Sequence, residues 1–369
     1  MVRGDGAWLW DDAGTQYLDF VQGWAVNCLG HAPEVVLRAL TEQARQLINA
    51  SPAYHSAPAF ALADALTKAT RLDYAFFASA GAEANEGAIK LARRFGSLHR
   101  GGAFEIITTH GSFHGRTLAT MAASGKPGFA ALYPPQVPGF VHVAYDDVAA
   151  VAAAITRDTV AVMVEPVQGE AGVVVPRPDY LRGLRELCDT RGLLLILDEI
   201  QTGIGRTGTF CAFEAAGVLP DILTLGKGLG GGIALSALLC RREVSCFRPG
   251  DHGGTFTGHP LTCAVGLAVV REITAPGFLE HVRRAAAHLE AGLARVGRNF
   301  GAKQRGAGLL QALVLSQPNG AHVVARAMQC QLLINSPRPE LLRFMPALNV
   351  RLDEIDEMLV RLEDALRSA

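Results

Sequence analysis

The sequence is short of the features that mark several large classes of protein. Positive and negative charge almost cancel, leaving a formal net charge of −1, and no basic block stands anywhere in the chain. Nucleic acid and anionic membrane are therefore poor partners. The 7 cysteines, at 28, 188, 211, 240, 246, 263 and 330, are odd in number and never spaced C-x-x-C. That argues against a disulfide framework and a zinc ribbon, and a reducing, cytoplasmic setting is the expectation. No apolar run approaches the ~20 residues of a membrane span. The opening residues, Met1-Val2-Arg3-Gly4-Asp5-Gly6, lack the apolar core of a signal peptide. Internal repeats and low-complexity linkers are missing too.

What the chain does have is core. Of 369 residues, 49% are hydrophobic and 19% charged, which suits a globular protein of about two domains. Residues 7–20 read as a hairpin around Asp11-Asp12-Ala13-Gly14. Helical spacing follows over 34–49 and 58–69. From Tyr74 the pattern alternates. Strands are expected at 74–78, 104–108, 141–143, 160–164, 193–197 and 222–225, and helices at 82–95, 147–155 and 178–191. Such alternation predicts an α/β fold with a mostly parallel sheet covered on both faces. Long helices at 261–273 and 278–296 lead to a smaller α+β unit with strands at 309–315 and 341–345 and a closing helix at 353–366. The boundaries expected are 1–45 for an N-terminal segment of the small domain, 46–270 for a large domain and 271–369 for the C-terminal domain.

Two strand ends organise the site. The apolar run Ile222 to Leu225 stops just before Gly226-Lys227-Gly228, and the run Leu193 to Leu197 ends in Asp198-Glu199. Open α/β sheets hold ligands beyond the carboxyl ends of their strands. A lysine and an acid placed so are what pyridoxal phosphate (PLP) needs. The amine forms a Schiff base, and the acid keeps the pyridine nitrogen protonated.

Other segments could serve ordinary structural ends or the same site. Ser79-Ala80-Gly81-Ala82-Glu83-Ala84-Asn85 joins a strand to a helix start, an anion-binding geometry when free amides point outward. In His110-Gly111-Ser112-Phe113-His114-Gly115-Arg116-Thr117 the two histidines are spaced i, i+4. The glutamate of H-E-x-x-H is missing and glycines break the helix, so no metal is expected. Phe113 suits stacking on a flat ring, and Arg116 a bidentate carboxylate contact. Glu165-Pro166-Val167-Gln168-Gly169-Glu170 puts two carboxylates on a strand-end loop. Gly203, Gly205 and Gly208 match G-x-G-x-x-G, but no long helix follows and no acid ends the next strand, so the dinucleotide reading fails. His252-Gly253-Gly254-Thr255-Phe256-Thr257-Gly258-His259-Pro260 suits phosphate or helix capping.

In this order the segments resemble the class III (subgroup II) PLP-dependent aminotransferases, from the hairpin to the C-terminus. The likeness is greatest to the branch acting on N-acetylornithine. The resemblance implies fold type I, the aspartate aminotransferase-like PLP-dependent transferase fold, with a seven-stranded sheet in the large domain. It implies that Lys227 holds PLP and shuttles the proton, that Asp198 pairs with the ring nitrogen, and that Gln201 lies near the phenolic oxygen. Phe113, beside His114 in the cofactor-binding set, covers one ring face. The amides of Gly81 and Ala82 hold the phosphate, which Thr255 completes from the other subunit of a homodimer with shared sites. Arg343 takes the α-carboxylate of glutamate or 2-oxoglutarate, Glu170 masks Arg343 when the ω-amine binds, and Arg116 serves the other carboxylate.

The chain departs from the family in reading Ala80-Gly81-Ala82 where many relatives have Ser-Gly-Thr, and Gly258-His259-Pro260 where Gly-Asn-Pro is usual. It also begins almost at the hairpin, leaving a late start and a short form both open. Rival activities are a PLP aminomutase or racemase of the same fold, and a PLP-free structural relative. Retention of Lys227, Asp198 and Gln201 argues against the latter, and the Glu170 and Arg343 pair against the former. N-succinylornithine, N-succinyldiaminopimelate, ornithine and γ-aminobutyrate remain open as alternative amines.

Overall fold

A computed structural model describes residues 1–368. Its centre is a seven-stranded sheet of Tyr74–Ala78, Ser236–Cys240, Ile222–Leu225, Leu194–Asp198, Thr159–Val164, Glu105–Thr109 and Phe140–Val143, in that spatial order. All run the same way except Ser236–Cys240, which pairs antiparallel with both neighbours. The middle strands are buried along their whole length, as Val, Ile and Leu runs covered on both faces must be. Helices Gly81–His99 and Tyr180–Arg191 lie among the covering elements.

Two smaller sheets flank this one. Arg3–Asp5, Trp8–Trp10 and Gln16–Asp19 form antiparallel pairs, and the last accepts Leu332–Leu333 as a parallel neighbour. The fourth-strand partner therefore comes from the far end of the chain. The C-terminal sheet runs Lys303–Ala307, Leu310–Val314, Leu341–Phe344, Asn335–Arg338, all antiparallel. Helices Phe278–Phe300 and Leu352–Arg367 pack together beside it.

Several local expectations differ from what forms. The helix expected over 34–49 is Glu34–Ala44. Its apolar spacing continues to Leu47 and Ile48, but these are exposed. Strand Ser236–Cys240 follows the strand before it after only a four-residue 3-10 turn, so the strand–helix alternation gives no sign of it. Lys303–Ala307 and Asn335–Arg338 are polar edge strands, and the second contains Pro337, which an edge tolerates. Helix Gly320–Gln329 was likewise not anticipated. Among the described residues no single helix is long and apolar enough to cross a membrane.

Candidate active site

Five segments leave the same edge of the central sheet, each at the carboxyl end of a parallel strand. Ser79 to Ala82 follows Tyr74–Ala78, and His110 to Arg116 follows Glu105–Thr109. Glu165 to Glu170 follows Thr159–Val164. Asp198 ends its own strand, and Lys227 stands two residues past Leu225. They enclose a cavity of about 280 Å³ lined by Gly81, Ala82, Phe113, His114, Arg116, Glu165, Glu170, Asp198, Ile200, Gln201 and Lys227.

Lys227 opens a short 3-10 turn in the left-handed region, at φ 45°, an uncommon conformation for a residue with a side chain. Burial pulls its amine below the usual lysine range. Asp198 opposes the shift, and the Arg343 charge adds to it. More of the amine is then unprotonated at neutral pH, as a nucleophile requires.

Asp198 is held more firmly on one side than on the other. Its Oδ2 accepts from Asn85 Nδ2 at 2.8 Å and faces His114 Nδ1 at 2.7 Å, while Oδ1 accepts only the Ile200 amide, at 3.1 Å. Asn85 is fixed in turn by donating to the His114 carbonyl and accepting from Thr224 Oγ1, at 2.7 and 2.8 Å. All four side chains are buried.

At the start of helix Gly81–His99, Glu83 accepts the amides of Ser79 and Ala80 at 2.8 and 2.9 Å. The next two residues, Gly81 and Ala82, line the cavity, and a helix leaves its first amides without internal partners. Gln201 lies against Gly169 so closely that a Cβ there would fall 1.5 Å from Gln201 Oε1. That oxygen is buried and has no hydrogen-bond partner among the described residues.

Glu165 is buried with Oε1 accepting the Phe113 amide at 2.9 Å and Oε2 the Gly169 amide at 3.4 Å. Burial pushes its carboxyl up to about 7, resisted by His114 and helped by Asp198. Glu170 meets Arg343 across the cavity edge, Oε1 to Nη1 at 2.8 Å. Burial raises the Glu170 pKa, but the Arg343 charge and hydrogen bond outweigh it and hold the carboxyl below its usual range. Lys126 reaches Glu170 Oε2 at 3.7 Å and sits 5.4 Å from the Phe113 ring centre.

Arg116 is exposed at the mouth, 6.0 Å from the ring of Phe129. Thr255 lies elsewhere, exposed in a separate hollow of about 330 Å³ with Ser79, Glu83 and His252. The sequence gives no role to Asn85, although it stands inside the segment 79–85, and reads Glu165 only as one of two carboxylates on a strand-end loop. Ile200 and Lys126 carried no signal beyond neighbourhood.

The chain matches the family described as Aminotransferase class-III over residues 1–366. It is a class-III aminotransferase. It is 52% identical to acetylornithine aminotransferase of Ralstonia nicotianae, over all of this chain and 94% of that one. Identity to acetylornithine aminotransferase of Gloeobacter violaceus is 47%, over 98% and 91% of the two chains. Among solved structures it is similar to ornithine aminotransferase from Toxoplasma gondii, with a TM-score of 0.95 at 32% identity over 99% of this chain and 90% of that one. N-acetylornithine aminotransferase from Stenotrophomonas maltophilia follows with a TM-score of 0.87 at 36% identity over 99% and 94%.

Enzymes of this class use pyridoxal phosphate, and the donor set fits it. The aminotransferase offers an amine, a half-satisfied buried carboxylate, an orphaned amide oxygen and a helix start on one cavity.

Proposed function

We propose that this aminotransferase moves the δ-amino group of N-acetylornithine to 2-oxoglutarate, giving N-acetylglutamate 5-semialdehyde and glutamate. The observation that carries the reading is the Glu170–Arg343 pair, 2.8 Å apart beside the cavity that holds Lys227. A bare buried arginine would draw in any α-carboxylate and present the α-amine. A masked one lets an ω-amine arrive. The acylated substrate is supported by likeness to acetylornithine aminotransferases at 52% and 47% identity, against 32% for the Toxoplasma ornithine aminotransferase.

Bound PLP supplies the electron sink that acidifies the carbon bearing the amine. Lys227 Nζ would hold it and would carry a proton to and from that carbon. Asp198 Oδ1, which accepts the Ile200 amide and keeps a second lone pair, would meet the ring nitrogen, with Oδ2 anchored by Asn85 and His114. Gly81 and Ala82 amides would hold the phosphate, Gln201 would meet the phenolic oxygen, and Phe113 would cover one face. Arg116 at the mouth takes the distal carboxylate.

We also infer a cytoplasmic homodimer. Tyr54, Phe60 and Phe256 are 73%, 59% and 59% exposed, large aromatics that a second copy would cover. Thr255, one residue from Phe256 and outside its own cavity, is placed to complete the phosphate site of the partner. A kcat/KM panel over N-acetylornithine, N-succinylornithine, N-succinyldiaminopimelate, ornithine and γ-aminobutyrate tests the reading. N-acetylornithine is expected to lead; preference for ornithine or γ-aminobutyrate would overturn it.

A further inference from the structure

The glycine-spaced loop Gly203-Ile204-Gly205-Arg206-Thr207-Gly208 takes no part in the cofactor cavity, and at its centre stands an unusual arginine. Arg206 is 2% exposed, yet no carboxylate pairs with it among the described residues. Burial pulls its guanidinium down to about 10, which still leaves it charged at neutral pH. Buried charge without a counter-charge is costly and persists only where its hydrogen bonds do something.

Both bonds go to the C-terminal sheet. Nη1 donates to the Leu309 carbonyl at 3.1 Å and the Pro346 carbonyl at 2.6 Å. Leu309 immediately precedes strand Leu310–Val314, and Pro346 follows strand Leu341–Phe344 by two residues. These strands are direct partners, with Gln311 opposite Phe344 and Ala312 opposite Arg343. One guanidinium therefore grips the adjoining ends of the two strands that carry and support Arg343. The backbone adds to the grip. Leu309 donates its amide to the Arg206 carbonyl at 2.9 Å, and Arg283 donates to the Gly208 carbonyl at 3.0 Å. Gly308 passes so close that a Cβ there would fall 2.5 Å from Arg206 O.

The other end of the loop is tied to Asp198. Glu199, the next residue, accepts Thr202 Oγ1 and the amides of Ala212 and Phe213 at 2.9, 2.7 and 2.9 Å. Its carbonyl accepts the Gly203 amide at 2.9 Å. An unbroken run of hydrogen-bonded links thus leads from the strand end at Asp198 to the strand that bears Arg343.

We propose that Arg206 is a positioning residue that sets the place of Arg343 relative to Asp198 and Lys227, and so tunes capture of the dicarboxylate substrate. This rests on the reading of Arg343 as the α-carboxylate site. Both bonds leave from Nη1, one bond farther from the backbone than a lysine Nζ, so lysine keeps the charge but falls short of the two carbonyls.

The test uses Arg206→Lys in the cofactor-loaded dimer and in cofactor-stripped protein. Two quantities are read: the dissociation constant of glutarate, an unreactive dicarboxylate, by calorimetry, and the KM values of glutamate and N-acetylornithine. Glutarate affinity should fall at least about tenfold and the KM of glutamate rise in step, with the KM of N-acetylornithine within about threefold and cofactor content unchanged. Unchanged glutarate binding, or equal loss for both substrates together with cofactor, overturns the proposal. Should Arg206→Lys not fold, Arg283→Ala decides, since it loosens the same loop from an exposed position. The same selective shift, at smaller size, supports the idea, and no shift overturns it. Arg343→Ala separates the two levels. If it leaves glutarate binding intact, the assignment of Arg343 fails and the proposal with it. If it abolishes binding while Arg206→Lys does not, only the role of Arg206 fails.

Discussion

Glu170, on a loop beyond the central sheet, and Arg343, within a strand of the C-terminal sheet, are 173 positions apart by numbering and still meet at 2.8 Å with the arginine wholly buried. Arg343 is otherwise held by the Gly169 carbonyl at 3.0 Å and Asn335 Oδ1 at 3.2 Å, and its Nη2 has no partner among the described residues. The group is therefore fixed in place with a donor to spare. Charge-assisted hydrogen bonds contribute ~1.5–3 kcal/mol, about one to two decades at 1.4 kcal/mol each. Glu170→Ala is expected to raise the kcat/KM ratio of glutamate over N-acetylornithine by at least about tenfold. Single-turnover half-reactions measure it. An unchanged ratio, or movement toward N-acetylornithine, removes Glu170 from the role of mask.

Lys227→Ala should abolish transamination while PLP still binds weakly through its phosphate and ring contacts. In the parent enzyme, borohydride reduction followed by peptide mass spectrometry should find the cofactor on Lys227. Finding it on another lysine sinks the assignment.

Sharing of the site between subunits can be tested by complementation. Lys227→Ala and Thr255→Ala protomers are each expected to be inactive alone. In the mixed dimer one site carries both lesions and the other neither, so activity should return in part. If subunit exchange is verified and no activity returns, Thr255 does not serve the partner.

Glu165 makes a prediction about pH. Its carboxyl is raised from 4.5 to about 7 by burial, so the folded state favours the protonated form. The stability this contributes is complete below about 4.5 and is lost as pH rises through about 7. A shift of more than two units corresponds to something on the order of 3 kcal/mol at 1.36 kcal/mol per unit. Glu165→Gln cannot ionise and still offers an oxygen to the Phe113 amide. Its Tm relative to the parent should therefore climb between pH 5 and pH 8. A pH-independent difference would show that Glu165 is ionised throughout.

The fold was legible because its centre is written in short, mostly apolar runs, and six of seven central strands stand in the strand–helix alternation that reveals them. Asp198 and Lys227 stood out by sitting at the ends of two such runs. The seventh strand, Ser236–Cys240, returns directly after a glycine-rich turn and so breaks the alternation that reveals the others. Asn85, Glu165 and Arg206 were in view as letters, but what each does depends on a partner 29 to 140 positions away. No local pattern carries that information. Lys126 is the plainest case: it belongs to no motif, and only folding brings it to Glu170 and Phe113.

The N-terminal sheet has a consequence for biosynthesis. Gln16–Asp19 pairs with Leu332–Leu333, and Trp8 Nε1 donates to Glu354, 346 positions later. At 5–20 residues per second, the ribosome needs roughly 15–60 s to deliver those partners after the first strands emerge. Throughout that interval a nascent chain displays an unfilled strand edge beside Trp8 and Trp10, the kind of surface that recruits another chain. The earliest part to be made is thus among the last to be closed, and its protection falls to whatever meets the polypeptide at the exit tunnel.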